Sequence, residues 1–137
     1  MNGKRVLIAD DEIHIVHVVT IKLRNNGYDV ITAEDGSEAY DLACEERPDI
    51  IITDYQMPVM TGIELVEKLR TNEQTKEIPV IMLTARSYAV SPEQRERLCI
   101  HNCLSKPFSP RELLGNVEDA LFQTGFVPQP YAASLVD

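Results

Sequence analysis

Ile50-Ile51-Ile52-Thr53, followed directly by Asp54, is a short, mostly β-branched apolar run that stops at a carboxylate. A strand with one wet face alternates apolar and polar residues; this run does not. It reads as a strand buried on both faces, as in a parallel sheet. Val6-Leu7-Ile8-Ala9 and Val80-Ile81-Met82-Leu83 repeat the pattern on either side of it. Asp29-Val30-Ile31-Thr32-Ala33 and a weaker Cys103-Leu104-Ser105 complete a set of five strand candidates.

The segments between these runs have helical spacing. Ile13, Val16, Val19 (or Thr20) and Leu23 recur three or four apart and would face the sheet, and Asn25-Asn26-Gly27 supplies a stop. A second helix opens after Asp35-Gly36, carries Ala39, Leu42 and Ala43, and ends before Pro48. A third runs from about Gly62 to Arg70 with Ile63, Leu65, Val66 and Leu69 inward. A fourth starts at Ser91-Pro92-Glu93, with Ser91 as N-cap and Pro92 in the first helical position. A fifth starts at Ser109-Pro110-Arg111-Glu112, with Glu112 placed for a capping box, and carries Leu113, Leu114, Val117 and Leu121. Strand and helix alternating five times predict a doubly wound α/β fold built on a five-stranded parallel sheet.

The chain of 137 residues fits one domain and can bury a core without staples. Residues 1–123 form the expected domain; 124–137, with Gly125, Pro128 and Pro130, read as a tail or the start of a linker. A net charge of -9 argues against direct nucleic-acid binding, which needs a basic footprint. No stretch approaches the ~20 apolar residues of a membrane span, and the N-terminus lacks a long apolar signal region. A soluble, cytoplasmic protein without membrane contact is expected.

Ligands of such a sheet bind at the carboxyl ends of its strands. Asp10, Asp11 and Glu12 follow the first strand, Asp54 the third, Thr84 and Ala85 the fourth, and Lys106 and Pro107 the fifth. Taken alone, Asp10 or Asp11 would be a helix cap, Thr84 a strand-end hydroxyl and Lys106 a solvated charge. Their occurrence at successive strand ends is the argument for a site. Clustered carboxylates stay ionised together when a cation sits among them, and an oxygen-only set suits Mg²⁺. One carboxylate can attack phosphorus to give an acyl phosphate, with a lysine and a hydroxyl binding the remaining phosphoryl oxygens.

These residues carry a resemblance. Val6-Leu7-Ile8-Ala9-Asp10-Asp11-Glu12, Pro48 to Pro58 around Asp54, Gly62, Leu83-Thr84-Ala85 and Lys106-Pro107-Phe108 make the chain similar, from about Lys4 to Gln123, to receiver domains of two-component response regulators. The resemblance implies the flavodoxin-like strand order 2-1-3-4-5. It implies that Asp54 accepts a phosphoryl group from a histidine kinase or histidine phosphotransfer protein. Asp11 would bind Mg²⁺ directly, Asp10 through water or weakly, and Asp54 and the Gln56 backbone carbonyl would be further ligands. Thr84, the Ala85 backbone N–H and Lys106 would hold the phosphoryl group, and the Lys106-Pro107 peptide would be cis. The face formed by the fourth helix, fifth strand and fifth helix would change for an unidentified output partner or for homodimerisation. The protein would be a switch and not an enzyme, though it assists its own phosphorylation and dephosphorylation.

The sequence also departs from that pattern. Cys103 stands three positions before Lys106, where the family usually carries an aromatic ring that moves inward. That leaves Tyr88, or no aromatic at all, to transmit the signal. Cys99-Ile100 replaces a small Gly-Ala pair, and Gln56 and Arg86 flank the site where side chains shield or admit water. The alternative reading is a receiver-shaped interaction module that is not phosphorylated. A phosphatase of the haloacid dehalogenase type would want a second Asp where Gln56 stands, and no Gly-rich nucleotide loop follows the first strand. Cys44, Cys99 and Cys103 lack zinc spacing and read as small core residues. His14, His17 and His101 read as surface or packing residues, Met57, Met60 and Met82 as loop and core fillers, and Gly36 and Gly62 as turn residues. The chain would be a single-domain regulator or the receiver part of a longer protein.

Overall fold

Side chains alternate across a strand, so a run that is apolar at every position needs cover on both sides. The computed structural model, which describes residues 3–85 and 89–123, provides it. The elements run β1 (Arg5–Ala9), α1 (Ile13–Arg24), β2 (Asp29–Ala33), α2 (Gly36–Glu46), β3 (Ile50–Asp54), α3 (Gly62–Arg70), β4 (Val80–Thr84), α4 (Pro92–Arg97), β5 (Ile100–Ser105) and α5 (Pro110–Gln123). The five strands pair in parallel in the order β2-β1-β3-β4-β5, as the doubly wound, flavodoxin-like expectation requires.

One set of strand side chains, Val6, Ile8, Ile50, Ile52, Ile81 and Leu83, packs with Val19, Leu23, Val117 and Leu121 of α1 and α5. The alternate set, Leu7, Ile51, Val80 and Met82, packs with Ala39, Ala43, Leu65, Val66 and Leu69 of α2 and α3. Every residue of β3 and β4 is buried. Each such Ile, Leu or Val contributes on the order of 1.5–3 kcal/mol through burial.

The caps follow local chemistry. Asp35 accepts the Glu38 N–H at the start of α2, Ser91 and Gln94 form a reciprocal box on α4, and the Ser109 hydroxyl accepts the Glu112 N–H on α5. Thr61 and Glu64 form a second box on α3.

The structure corrects four sequence expectations. Ile13 does not face the sheet. It is 72% exposed, because the first turn of α1 stands beyond the last pairing residues of β1. β5 begins at Ile100, three residues before the run at Cys103, and His101 is the extra residue at a bulge where Val80 pairs with Ile100 and Ile81 with Asn102. Gly36 and Gly62 are not turn residues but the first residues of α2 and α3. A Cβ on Gly62 would lie 2.4 Å from the Asp54 carbonyl oxygen, and one on Gly36 would lie 2.6 Å from Met60. Cys99 is an exposed residue and not a core one, whereas Cys44 and Cys103 are half-buried. The expected tail at 124–137 lies outside the described residues.

Candidate functional site

β1, β3, β4 and β5 end together, and their last residues or the next ones converge. Asp10 follows β1 and is 1% exposed; Asp54 ends β3 at 7%; Thr84 ends β4 at 2%. Lys106 follows β5, and its backbone N–H donates to the Thr84 carbonyl at 2.8 Å. Its ammonium lies 2.6 Å from Glu12 Oε1, 3.1 Å from Asp10 Oδ2 and 3.3 Å from Asp54 Oδ1. Carboxylate oxygens of Asp10, Glu12 and Asp54 all fall within 4.8 Å of one another. Above them opens a cleft of about 730 Å³, lined by Asp11, Glu12, Asp54, Gln56, Thr84 and Lys106, with Ala85 at its rim.

Each part is held by its own element. The Asp10 N–H donates to the Ala33 carbonyl, and Asp10 Oδ1 accepts the Glu12 N–H at 2.9 Å, fixing the turn into α1. Below Asp54, the Tyr55 N–H donates to the Leu83 carbonyl at 2.7 Å and the Gly62 N–H donates to the Tyr55 carbonyl at 2.8 Å. The loop between them contains a γ-turn, in which the Met60 N–H reaches the Pro58 carbonyl at 2.7 Å around Val59 at φ +72°. The Lys106–Pro107 peptide is cis.

The electrostatics set Asp54 apart. Burial and then the Asp10 charge push its carboxyl up to about 6, against the pull of Lys106 and the Tyr55 N–H. For Lys106, burial alone would lower the ammonium; its hydrogen bonds to Glu12 and Asp10 and the charges of Asp10 and Asp54 more than reverse this. Glu12 is held below the ordinary carboxylate range by its hydrogen bond to Lys106. Three acids therefore meet one ammonium, and the exposed Asp11 adds a fourth negative charge to the same cleft. An all-oxygen set with excess negative charge around an open cleft fits a hard divalent cation.

The structure thus brings Asp10, Asp54, Thr84 and Lys106 together, with Asp11, Gln56 and Ala85 around the cleft. Sequence reasoning missed the role of Glu12 as the nearest partner of Lys106. The signal was present in the third consecutive acid after the first strand. Cys103 is half-buried on β5, packs towards the α2–α3 side of the sheet, and has its thiol pushed up by burial. Arg86 and Tyr88 lie outside the described residues. The α4–β5–α5 face is polar: Arg95 donates to the His101 carbonyl at 2.9 Å, His101 meets Asp119 at 2.9 Å, and Asn102 hydrogen-bonds Asn116. His14 and His17 are exposed on α1.

This geometry agrees with the comparisons. Residues 6–118 match the family described as the response regulator receiver domain, and the chain belongs to that family, whose members are phosphoacceptor signalling modules of two-component systems. It is 37% identical over 125 residues to the phosphate regulon transcriptional regulatory protein PhoB of Pseudomonas aeruginosa, covering 91% of this chain and 55% of that protein. The chain spans about half the length of the curated relatives it matches. Among solved structures, the chemotaxis response regulator CheY4 of Vibrio cholerae is 38% identical with a TM-score of 0.80, over 86% of this chain and 98% of that one. The receiver domain of sensor histidine kinase PA1611 of P. aeruginosa, with a magnesium ion coordinated in its active-site cleft, is 28% identical with a TM-score of 0.78, over 87% and 98%. No helix among the described residues is long and apolar enough to cross a membrane.

Proposed function

We propose that the chain is a phosphorylation switch in which Asp54 takes a phosphoryl group from the phosphohistidine of a histidine kinase or phosphotransfer protein. The observation that carries this is the position of Asp54: a carboxylate at the floor of an open cleft, 3.3 Å from the Lys106 ammonium. An Asp54 oxygen attacks phosphorus; a P–O bond forms as the P–N bond breaks, and the imidazole leaves with the bonding pair and takes a proton from solvent. Mg²⁺, held by Asp11, Asp54 and the Gln56 backbone carbonyl with Asp10 acting through water, would neutralise the transferring phosphoryl oxygens. The magnesium-bearing PA1611 receiver supports that assignment. Lys106, Thr84 and the Ala85 N–H hold the phosphoryl group. The Asp54 carboxyl, at about 6, is ionised and nucleophilic at neutral pH.

Phosphorylation replaces one carboxylate by a bulkier, more negative group. Two charge-assisted hydrogen bonds, from Lys106 and Thr84, offer about 1.5–3 kcal/mol each, enough to bias a two-state element by a few kcal/mol. The polar α4–β5–α5 face is the element proposed to respond, presenting a changed surface to an output partner or to a second copy of the chain. Residues 1–123 act as the receiver unit and 124–137 as a tail or linker.

The test is intact-protein mass after incubation with a small phosphoryl donor and Mg²⁺. One added phosphoryl group is expected, absent without Mg²⁺ and absent in Asp54→Asn. If neither a small donor nor a histidine kinase adds phosphate, the chain is a receiver-shaped interaction module instead.

A further inference from the structure

The shortest contact of the Lys106 ammonium is to a residue outside the proposed phosphoryl-binding set. Glu12 Oε1 lies 2.6 Å from Nζ, closer than Asp10 at 3.1 Å or Asp54 at 3.3 Å. We propose that Glu12 is a positioning residue that latches Lys106 in the unmodified protein and must release it before the ammonium can turn to the phosphoryl group. This deepens the phosphoacceptor reading and rests on it.

Three features of Glu12 point this way. Its backbone is fixed: its N–H donates to Asp10 Oδ1, and its carbonyl accepts from Ile15 and Val16. Its side chain is free to move, since it is 45% exposed while the partner side chains of Asp10 and Asp54 are 0% and 10% exposed. Finally, Glu12 occupies the N-cap position of α1, where Asp, Asn, Ser or Thr would stabilise the helix. Its longer side chain makes no cap hydrogen bond among the described residues. The carboxylate reaches across to Lys106, 94 residues away in sequence.

An ammonium has three N–H donors; here it hydrogen-bonds Glu12 and Asp10 and lies 3.3 Å from Asp54 as an ion pair. A phosphoryl group extends beyond the Asp54 carboxylate, so the ammonium must shift outward to meet it, and one of its two hydrogen bonds must yield. Asp10 is buried and held by the Glu12 N–H, and Asp54 carries the phosphoryl group. Glu12 alone can swing into water, where its charge is solvated at little cost. The strength of this one half-exposed ion pair therefore sets how readily the modified arrangement is reached.

The test uses two variants that separate a latch from a general charge effect. Glu12→Gln removes the charge. Glu12→Asp keeps the charge but is one methylene shorter, so it loses reach to Lys106 and gains a cap on α1. The probe is beryllofluoride, a phosphoryl mimic that binds an aspartate carboxylate, titrated with Mg²⁺ and followed by fluorine NMR. A latch predicts that both variants bind more tightly than wild type, by up to about fivefold, the limit an exposed ion pair commands. A second readout needs neither metal nor mimic: hydrogen exchange of the Lys106 ammonium should be faster in both variants than in the unmodified wild-type protein. Unchanged exchange, unchanged affinity in Glu12→Gln, or wild-type behaviour of Glu12→Asp each overturns the latch while wild-type binding leaves the phosphoacceptor reading standing. A wild-type protein that binds no beryllofluoride overturns both.

Discussion

Arg5 and Lys106 stand at opposite ends of the same sheet, and each gathers three acids. At the amino end, Arg5 Nε meets Asp29 at 2.7 Å, Nη1 meets Glu46 at 2.6 Å, and the backbone N–H donates to Asp49 at 2.8 Å. These groups are partly exposed, so their charges remain solvated and screened and each pair adds little to stability. At the carboxyl end, Asp10, Asp54 and Lys106 have lost most of their water, and the carboxyl of Asp54 is pushed up to about 6. The same ratio of one cation to three acids thus gives a solvated surface network at one end and a desolvated charge cluster at the other. The amino end also holds Arg70, whose guanidinium donates to the carbonyls of Lys76, Ile78, Leu98 and Cys99 and ties α3 to the turns before β4 and β5.

The largest test of this contrast lies at the amino end. Arg70→Ala should destabilise the protein by about 4 kcal/mol in urea unfolding, because four carbonyls lose a charged donor. A loss below about 1 kcal/mol would mean that water replaces the guanidinium without penalty.

The next effect has the opposite sign. Asp54→Asn should stabilise the unmodified protein at pH 7 by about 3 kcal/mol, because the folded state there bears a carboxylate whose affinity for protons is raised from 3.8 to about 6. Above pH 6 that penalty is complete. As pH falls from 6 towards 3.8, the folded state takes up a proton that the unfolded state still lacks, so wild type gains on the variant until the difference vanishes. Urea unfolding at pH 7 and pH 4 checks both the size and the direction. A destabilised Asp54→Asn would place the balance of charge at the carboxyl end in favour of folding.

The smallest effects concern backbone strain, present at both ends. Val59 at φ +72° lies in the loop between β3 and α3, and Cys99 at φ +54° precedes β5. Both side chains are exposed. Val59→Gly and Cys99→Gly should each stabilise by about 1 kcal/mol in thermal unfolding. If Val59→Gly also leaves phosphorylation unchanged, the turn at Val59 shapes the loop without serving the chemistry.

Much of the fold was legible because its causes are local. The β-branched runs of β1, β3 and β4 announce burial on both faces, and Ser91-Pro92 and Ser109-Pro110 mark helix starts within one turn. The start of β5 is hidden in the sequence because His101 and Asn102 interrupt its apolar pattern at the bulge. Arg70 gave no signal at all, since a guanidinium bound to carbonyls leaves no partner residue type to recognise. The candidate site is legible for a topological reason: the carboxyl ends of neighbouring parallel strands lie side by side, which brings Asp10, Asp54, Thr84 and Lys106 together.

The sequence by itself therefore determined the order of elements, the doubly wound class and the kind of chemistry its strand ends can perform. Only the tertiary structure decided which side chains touch. Whether Glu12 or Asp11 reaches Lys106 depends on the rotation of the first turn of α1 against a strand end 94 residues away. Whether Ile13 is covered depends on how far α1 extends beyond β1. Such contacts are set by the packing of whole elements, and no local pattern of residues encodes them.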